Sequence, residues 1–390
     1  MTAEFEIERL PIIVSFEETA AFTETYGFVG TSGRVFLEGQ RIVPKGHSSK
    51  TVLLFMHPAS TLNLMPLPAG LARAGIHVIC CASRYAKNDT ALIMEKVAAD
   101  LGAYVRYARE QLGYEHVILC GWSGGGSLAT FFQSQAENPT VTHTPAGDPY
   151  DLKAANLMPA DALMYIAAHT GRARILAEWI DPSVSDEDDP DARDFSLDLY
   201  HPDCAEQPPY SQDFVERFRK AQRARIERIT ARAREQLETL KKRGGNEVER
   251  PFIVHRTMAD PRFLDASLEP NGRAQGVCYL GNPETVNTGP VGLARFCTLR
   301  AWLSQWSYAD SAADAVACAP HVGAPMLIIE NGADDAVPTS HMRDVRVAAA
   351  ARNPQYRLMA QANHYYRDQP HLMGEAVDVI NEWLASNYLC

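Results

Sequence analysis

The segment VILCGWSGGGSLA contains Gly121-Trp122-Ser123-Gly124-Gly125, a serine set among glycines between an apolar run and a stretch of helical pattern. A serine hydroxyl is a weak nucleophile near neutral pH, and it becomes an effective one only beside a base that a third group orients. The G-x-S-x-G spacing suits that chemistry for a steric reason. At a very tight strand-to-helix turn the serine projects its hydroxyl above the sheet, and Cβ atoms at Gly121 or Gly125 would collide with the adjoining strand or helix. The helix that follows also turns its positive end towards the site, which favours a developing oxyanion. A phosphate-binding loop would need the Lys-Ser or Lys-Thr pair of a Walker motif, and the segment has none. An ordinary Gly-rich turn with an incidental serine would account for the glycines but not for the strand before them and the helix after them.

These residues resemble the nucleophile elbow of the α/β-hydrolase superfamily, and the resemblance runs through residues 25–169 and 323–390. Within that superfamily the chain is most similar to bacterial hydrolases with a large helical cap. The resemblance implies a chain order of Ser, then Asp or Glu, then His. In MLIIENGADDAVP, Ala333-Asp334 followed by Val337-Pro338 matches the superfamily's acidic turn and favours Asp334, whereas counting from Gly332 favours Asp335. Both stay open at this point. His364, in LMAQANHYYRD just past the final expected strand, stands where the superfamily places its histidine. Of 12 histidines, His341 and His371 are the near rivals, but each falls within or at the start of a helix. The superfamily also supplies two backbone N–H donors for a tetrahedral oxyanion. One is that of Gly124, and the other lies in the loop that here reads His57-Pro58-Ala59. Proline has no N–H, which leaves Ala59. His57 itself reads as structural.

The elements that must carry these residues alternate along the chain. Apolar runs at 51–58, 77–83, 116–121, 162–169, 325–330 and 356–362 read as strands, and the first 45 residues as an antiparallel hairpin opening the sheet. Helical stretches fall at 62–74, from a cap at Asp89-Thr90 to Leu112 with Ile93, Val97, Leu101 and Val105 in step, after Ser123, after Pro338, and at 371–384. Strands apolar on both faces, alternating with helices, predict a mostly parallel central sheet flanked by helices, an α/β fold. Between 170 and 322 the alternation lapses. An acidic, Pro-rich stretch DPSVSDEDDPDARDF reads as a solvated loop, and a long helix over 211–243 carries Val215, Phe218, Ile226, Ile229, Ala233, Leu237 and Leu240 near one face, with arginines on a solvated one. The expected organisation is an α/β-hydrolase core over 1–169 and 323–390, with a mainly helical cap, 170–322, inserted after the sixth strand. Phe296, Trp302, Trp306 and Tyr308, at about helical spacing, read as packing more than as an apolar wall for a substrate.

Composition narrows the function further. Hydrophobic residues make up 46% of the 390 and charged residues 22%, which suits a globular protein and excludes a disordered or collagen-like one. A net charge of −11 makes nucleic acid and anionic membranes poor partners. The amino-terminal residues lack the basic and apolar segments of a secretory signal, and none of the eight cysteines sits in a zinc-binding spacing. Cys80, Cys81 and Cys120 fall inside apolar runs and read as buried thiols. The expectation is a cytoplasmic enzyme with neither cofactor nor metal and a small-molecule substrate; assembly into a homo-oligomer is left open. The reaction expected is hydrolysis of a carboxylic ester or lactone of a bulky, partly apolar molecule. Cleavage of a C–C bond beside a ketone, in a β-diketone or ring-cleavage product, is the alternative. A non-catalytic binding protein fits less well, because serine, acid and histidine positions are all filled.

Overall fold

Apolar runs too short for helices and buried on both faces become the centre of one sheet. The computed structural model describes residues 4–18 and 33–389. Its strands are β1 (Ile7–Glu17), β2 (Arg34–Pro44), β3 (Thr51–His57), β4 (His77–Ala82), β5 (His116–Trp122), β6 (Ala162–Ile166), β7 (Pro251–Ile253), β8 (Phe296–Thr298), β9 (Met326–Asn331) and β10 (Gln355–Met359). Eight of them form a sheet in the order β1-β2-β4-β3-β5-β6-β9-β10. The opening hairpin is as expected: β1 and β2 pair antiparallel, with Ile7 opposite Pro44 and Glu17 opposite Arg34. β2 joins β4 antiparallel, and every pair from β4 to β10 is parallel.

Helices cover both faces. α1 (Pro66–Arg73) and the carboxy-terminal α7 (Pro370–Ser386) bury Leu67, Leu71, Ile380 and Trp383 on one side. On the other lie α2 (Met94–Glu110), α3 (Gly124–Glu137) and α6 (Thr339–Ala348), with Val97, Leu101, Phe131, Phe132 and Val345 in the core. α2 begins later than its sequence suggests. Ile93 occupies the cap without a side-chain hydrogen bond, and the Asp89 carboxylate pairs instead with the guanidinium of Arg172. Among the described residues no helix is long and apolar enough to cross a membrane.

Between β6 and β9 the chain leaves the sheet. It forms α4 (Arg172–Trp179), the long α5 (Gln212–Arg243) and the antiparallel pair β7–β8. Ser211 caps α5 by accepting the N–H of Phe214, and Gly244 ends it at φ 68°. The apolar face of α5 packs Ile226, Ile229, Leu237 and Leu240 against Trp302 and Trp306, so these tryptophans are core. Its arginines are not all solvated, and neither is the acidic stretch. Arg225 is 1% exposed and paired with Glu187, and Arg219 pairs with the buried Asp260. Like charges along a helix are tolerated here because carboxylates reach back to meet them.

This segment touches the core through a buried carboxyl. The Ser304 hydroxyl donates to Glu95 Oε2 at 2.8 Å and accepts the Met94 N–H at 2.8 Å. Burial pushes Glu95 up to about 7. The folded chain therefore holds that proton more tightly than an unfolded glutamate does, at about 4.5. Its stabilising contribution is complete at acid pH and lost as pH rises towards about 7, a change of about 3 kcal/mol. Urea unfolding between about pH 5 and pH 8 should show wild type losing stability relative to Glu95→Gln as pH rises. Parallel curves would refute the assignment.

Candidate active site

Ser123 sits where β5 ends and α3 begins, with φ 55° and ψ −123°. A non-glycine residue in that region costs on the order of 1–3 kcal/mol and persists only where its surroundings enforce it. The enforcement is visible. The Ser123 N–H donates to the carbonyl of Ile166 on β6 at 3.2 Å, and the Gly126 N–H donates to the carbonyl of Ser123 at 3.1 Å. A Cβ on Gly121 would lie 2.5 Å from the Gly125 carbonyl oxygen, and one on Gly125 would lie 2.2 Å from the carbonyl oxygen of Met56 on β3. Both glycines are required by close approach, as the spacing implies. Gly126 adds a third constraint: its Cβ would meet that of Ala168 at 2.4 Å.

Loops after β9 and β10 bring an acid and a base together. Asp334 Oδ2 lies 2.9 Å from His364 Nδ1, with His364 1% and Asp334 3% exposed. The other carboxylate oxygen of Asp334 accepts the N–H groups of Ala336 and Val337, each at 2.8 Å, which fixes the carboxylate. Pairing Nδ1–H with this carboxylate leaves Nε2 of His364 with its lone pair. The imidazole lies against the ring of Trp122, 4.5 Å between centroids, next to the serine. Asp335 has no such role: one of its oxygens is buried without a hydrogen-bond partner, and burial beside Asp334 raises its pKa. The Ser123 hydroxyl makes no hydrogen bond to His364 here; in free enzymes such contacts are commonly long and tighten only with substrate.

Ser123 opens into a cavity of about 350 Å³. Trp122 and Tyr365 line it from the core, while Ile175, Trp179, Tyr279 and Leu293 close it from the segment between β6 and β9. Its polar side includes His57, His169 and Arg172, with Ser60, Lys87 and Asp89. Arg172 is held by Asp89, by Gln305 at 2.9 Å and by the face of Trp306, 4.3 Å away. Burial, with Arg172 and His364 close by, pushes His57 down to about 3 and lowers His169 further below the usual range, so both are neutral. A larger cavity of about 1110 Å³ lies against β1 and α2 and contains none of these groups.

One expected donor is placed differently. The Ala59 N–H points at Nδ1 of His57, 3.2 Å away, and the Ser60 N–H reaches the same nitrogen at 3.1 Å. Gly124, at the first turn of α3, keeps a backbone N–H with no intrahelical acceptor.

No protein-family model and no curated protein matches the sequence. Solved structures do. DcsB, solved with its substrate analogue, superposes with a TM-score of 0.52 at 12% identity, covering 97% of this chain and 100% of that one. That superposition, with the strand order and the serine turn, decides the architecture. This is the α/β-hydrolase fold. An esterase domain of a Rhodothermus marinus protein (TM-score 0.46, 11% identity, 96% and 98% covered) and a monoacylglycerol lipase of Paleococcus ferrophilus (TM-score 0.44, 14%, 90% and 98%) are also similar. Identities this low speak to the fold and not to the reaction.

The apolar wall of the cavity comes from residues that the sequence gives little reason to choose. Trp179 and Tyr279 lie outside any motif, and the aromatic cluster that does have helical spacing, Trp302 and Trp306, is packed inside the insertion. His341 is buried too. It takes the Thr170 N–H at 3.1 Å and meets Glu178 at 3.2 Å, linking α6 to α4 rather than serving the serine. The two carboxylates can be separated by experiment. Asp334→Asn should lower kcat by on the order of 10⁴-fold, whereas Asp335→Asn should change it less than about tenfold. The reverse ranking, read from steady-state kinetics, would reassign the acid.

Proposed function

We propose that the protein is a serine hydrolase that cleaves a carboxylic ester or lactone of a bulky, partly apolar small molecule through an acyl-enzyme on Ser123. The observation that carries the reading is the buried Asp334–His364 pair, 2.9 Å apart, whose imidazole packs on Trp122, the residue before a serine held at φ 55°. In this reading Nε2 of His364 takes the proton of Ser123 as the hydroxyl oxygen attacks the substrate carbonyl carbon. Asp334 stabilises the imidazolium that forms. The carbonyl π electrons move onto oxygen, giving an oxyanion that faces the Gly124 N–H and the N-terminus of α3. The imidazolium then protonates the departing alkoxide, the C–O bond breaks, and the acyl group remains on Ser123. Water, deprotonated by the same imidazole, releases the acid and restores the serine.

Residues 170–322 act as the cap. Ile175, Trp179, Tyr279 and Leu293 form an apolar wall facing the serine, which suits an apolar acyl or alcohol portion, and a cavity of about 350 Å³ suits a small molecule over a polymer. The wall also keeps bulk water from the acyl intermediate.

Wild type should turn over members of a panel of nitrophenyl esters and lactones, and Ser123→Ala should lower kcat by on the order of 10⁶-fold while retaining its thermal midpoint. Full activity in Ser123→Ala would contradict the proposal. Turnover of a β-diketone with no ester accepted would move the reaction to C–C cleavage.

A further inference from the structure

The cavity holds a hydrogen-bond donor that the reaction as described leaves unused. His57 ends β3 and is partly exposed to the same cavity as Ser123. Its Nδ1 faces two backbone donors, the N–H groups of Ala59 at 3.2 Å and Ser60 at 3.1 Å. A ring nitrogen that accepts hydrogen bonds carries no proton, so in the neutral imidazole the proton resides on Nε2. The tautomer is thereby set by the loop's own backbone.

Nε2 has no acceptor among the described residues, and its position is informative. A Cβ built on Gly124 would fall 2.7 Å from this nitrogen and 3.3 Å from Cδ2 of the same ring. The imidazole therefore packs directly on the first residue of α3, the residue whose N–H faces a developing oxyanion. It also explains why position 124 is glycine, since any side chain would displace the ring. Meanwhile the backbone donor that a hydrolase of this fold would take from the loop, the Ala59 N–H, is turned towards Nδ1 and unavailable.

We propose that the Nε2–H of His57 is the second oxyanion donor, acting with the Gly124 N–H on the oxygen formed when Ser123 attacks. The inference rests on the serine-hydrolase reading above. Burial, with the Arg172 guanidinium near, keeps His57 neutral over the working range, so it donates without gaining or losing a proton. His169 is the neighbouring alternative, its Nε2 3.5 Å from the same Cβ position. Nothing fixes its tautomer, because its Nδ1 is buried without a partner.

His57→Ala, His57→Asn, His57→Gln and Ser123→Ala, assayed on a short-chain p-nitrophenyl ester, test this. A glutamine amide nitrogen can occupy the place of Nε2, and an asparagine amide cannot. Removal of one oxyanion donor costs about 10²–10³-fold in kcat, so His57→Ala and His57→Asn should fall in that range with KM little changed. His57→Gln should recover at least about tenfold of it. Inhibition by a trifluoromethyl ketone, which forms a tetrahedral adduct, should weaken in step with kcat/KM. The ascending limb of the pH–rate profile should stay where it is in wild type, because His364 remains the base. Inactivity of Ser123→Ala with His57→Ala within about threefold of wild-type kcat would overturn the inference and leave the serine-hydrolase reading standing. So would a His57→Gln enzyme whose ascending limb has disappeared. Activity in Ser123→Ala would instead remove the reading itself. Thermal midpoints identify a misfolded His57→Ala, in which case the contrast between the Gln and Asn variants decides.

Discussion

The site depends on one close approach, that of the first turn of α3 to the ends of β3 and β5. A helix ordinarily stands off a sheet by the width of the side chains packed between them. Here Gly121, Gly125 and Gly126 remove those side chains where the Met56 carbonyl, the Gly125 carbonyl and Ala168 would otherwise collide with them. The helix can then start immediately after the strand, and the residue between them is driven to positive φ. That strain raises the serine above the sheet and points the free N–H groups of α3 at the space beside it. The aspartate and histidine loops have only to arrive over the same edge, and the parallel order of β5, β6, β9 and β10 brings them there.

The segment between β6 and β9 is fastened to this edge by polar contacts as well as by Ala313, Ala315, Cys318, Ala319 and Val322, which join the core of the sheet. Arg172 reaches Asp89, Glu178 meets His341, Ser304 meets Glu95, and Asn271 donates to the Asp334 carbonyl at 3.0 Å. Within the segment, Arg225 of α5, buried among carboxylates and carbonyls, holds the stretch 181–198 against the helix, and the partly buried Arg256 beyond it pairs with Asp181 and Asp198. Such contacts are worth little net free energy against apolar replacements, but breaking one partner leaves a buried charge. They specify where the wall of the cavity stands.

Much of this was legible in the sequence where a local rule governs. Doubly buried strands show as apolar runs, and β3, β4, β5, β6 and β9 lie within a few residues of where those runs stand. The glycine spacing around Ser123 reports its own steric cause. Long-range pairing was not legible. Asp334 and Asp335 are alike as sequence, and only the turn that aims one at His364 and strands the other separates them. The start of α2 differs from the sequence expectation: Asp89, a good cap by type, pairs with an arginine far along the chain, and the helix begins at Met94. The arginine-rich face of α5 looked solvated because its carboxylate partners lie about 40 positions away. The orientation of the Ala59 N–H depends on the loop's backbone, which residue types do not encode.

The most direct test of the account is covalent. A fluorophosphonate should phosphonylate the wild-type protein once, and peptide mass spectrometry should place the adduct on Ser123. The reaction should slow sharply in His364→Ala, since without the imidazole the hydroxyl at the elbow has no base. An adduct on another residue, or none under conditions where a known serine hydrolase is fully labelled, would contradict the claim that this strained serine is a nucleophile.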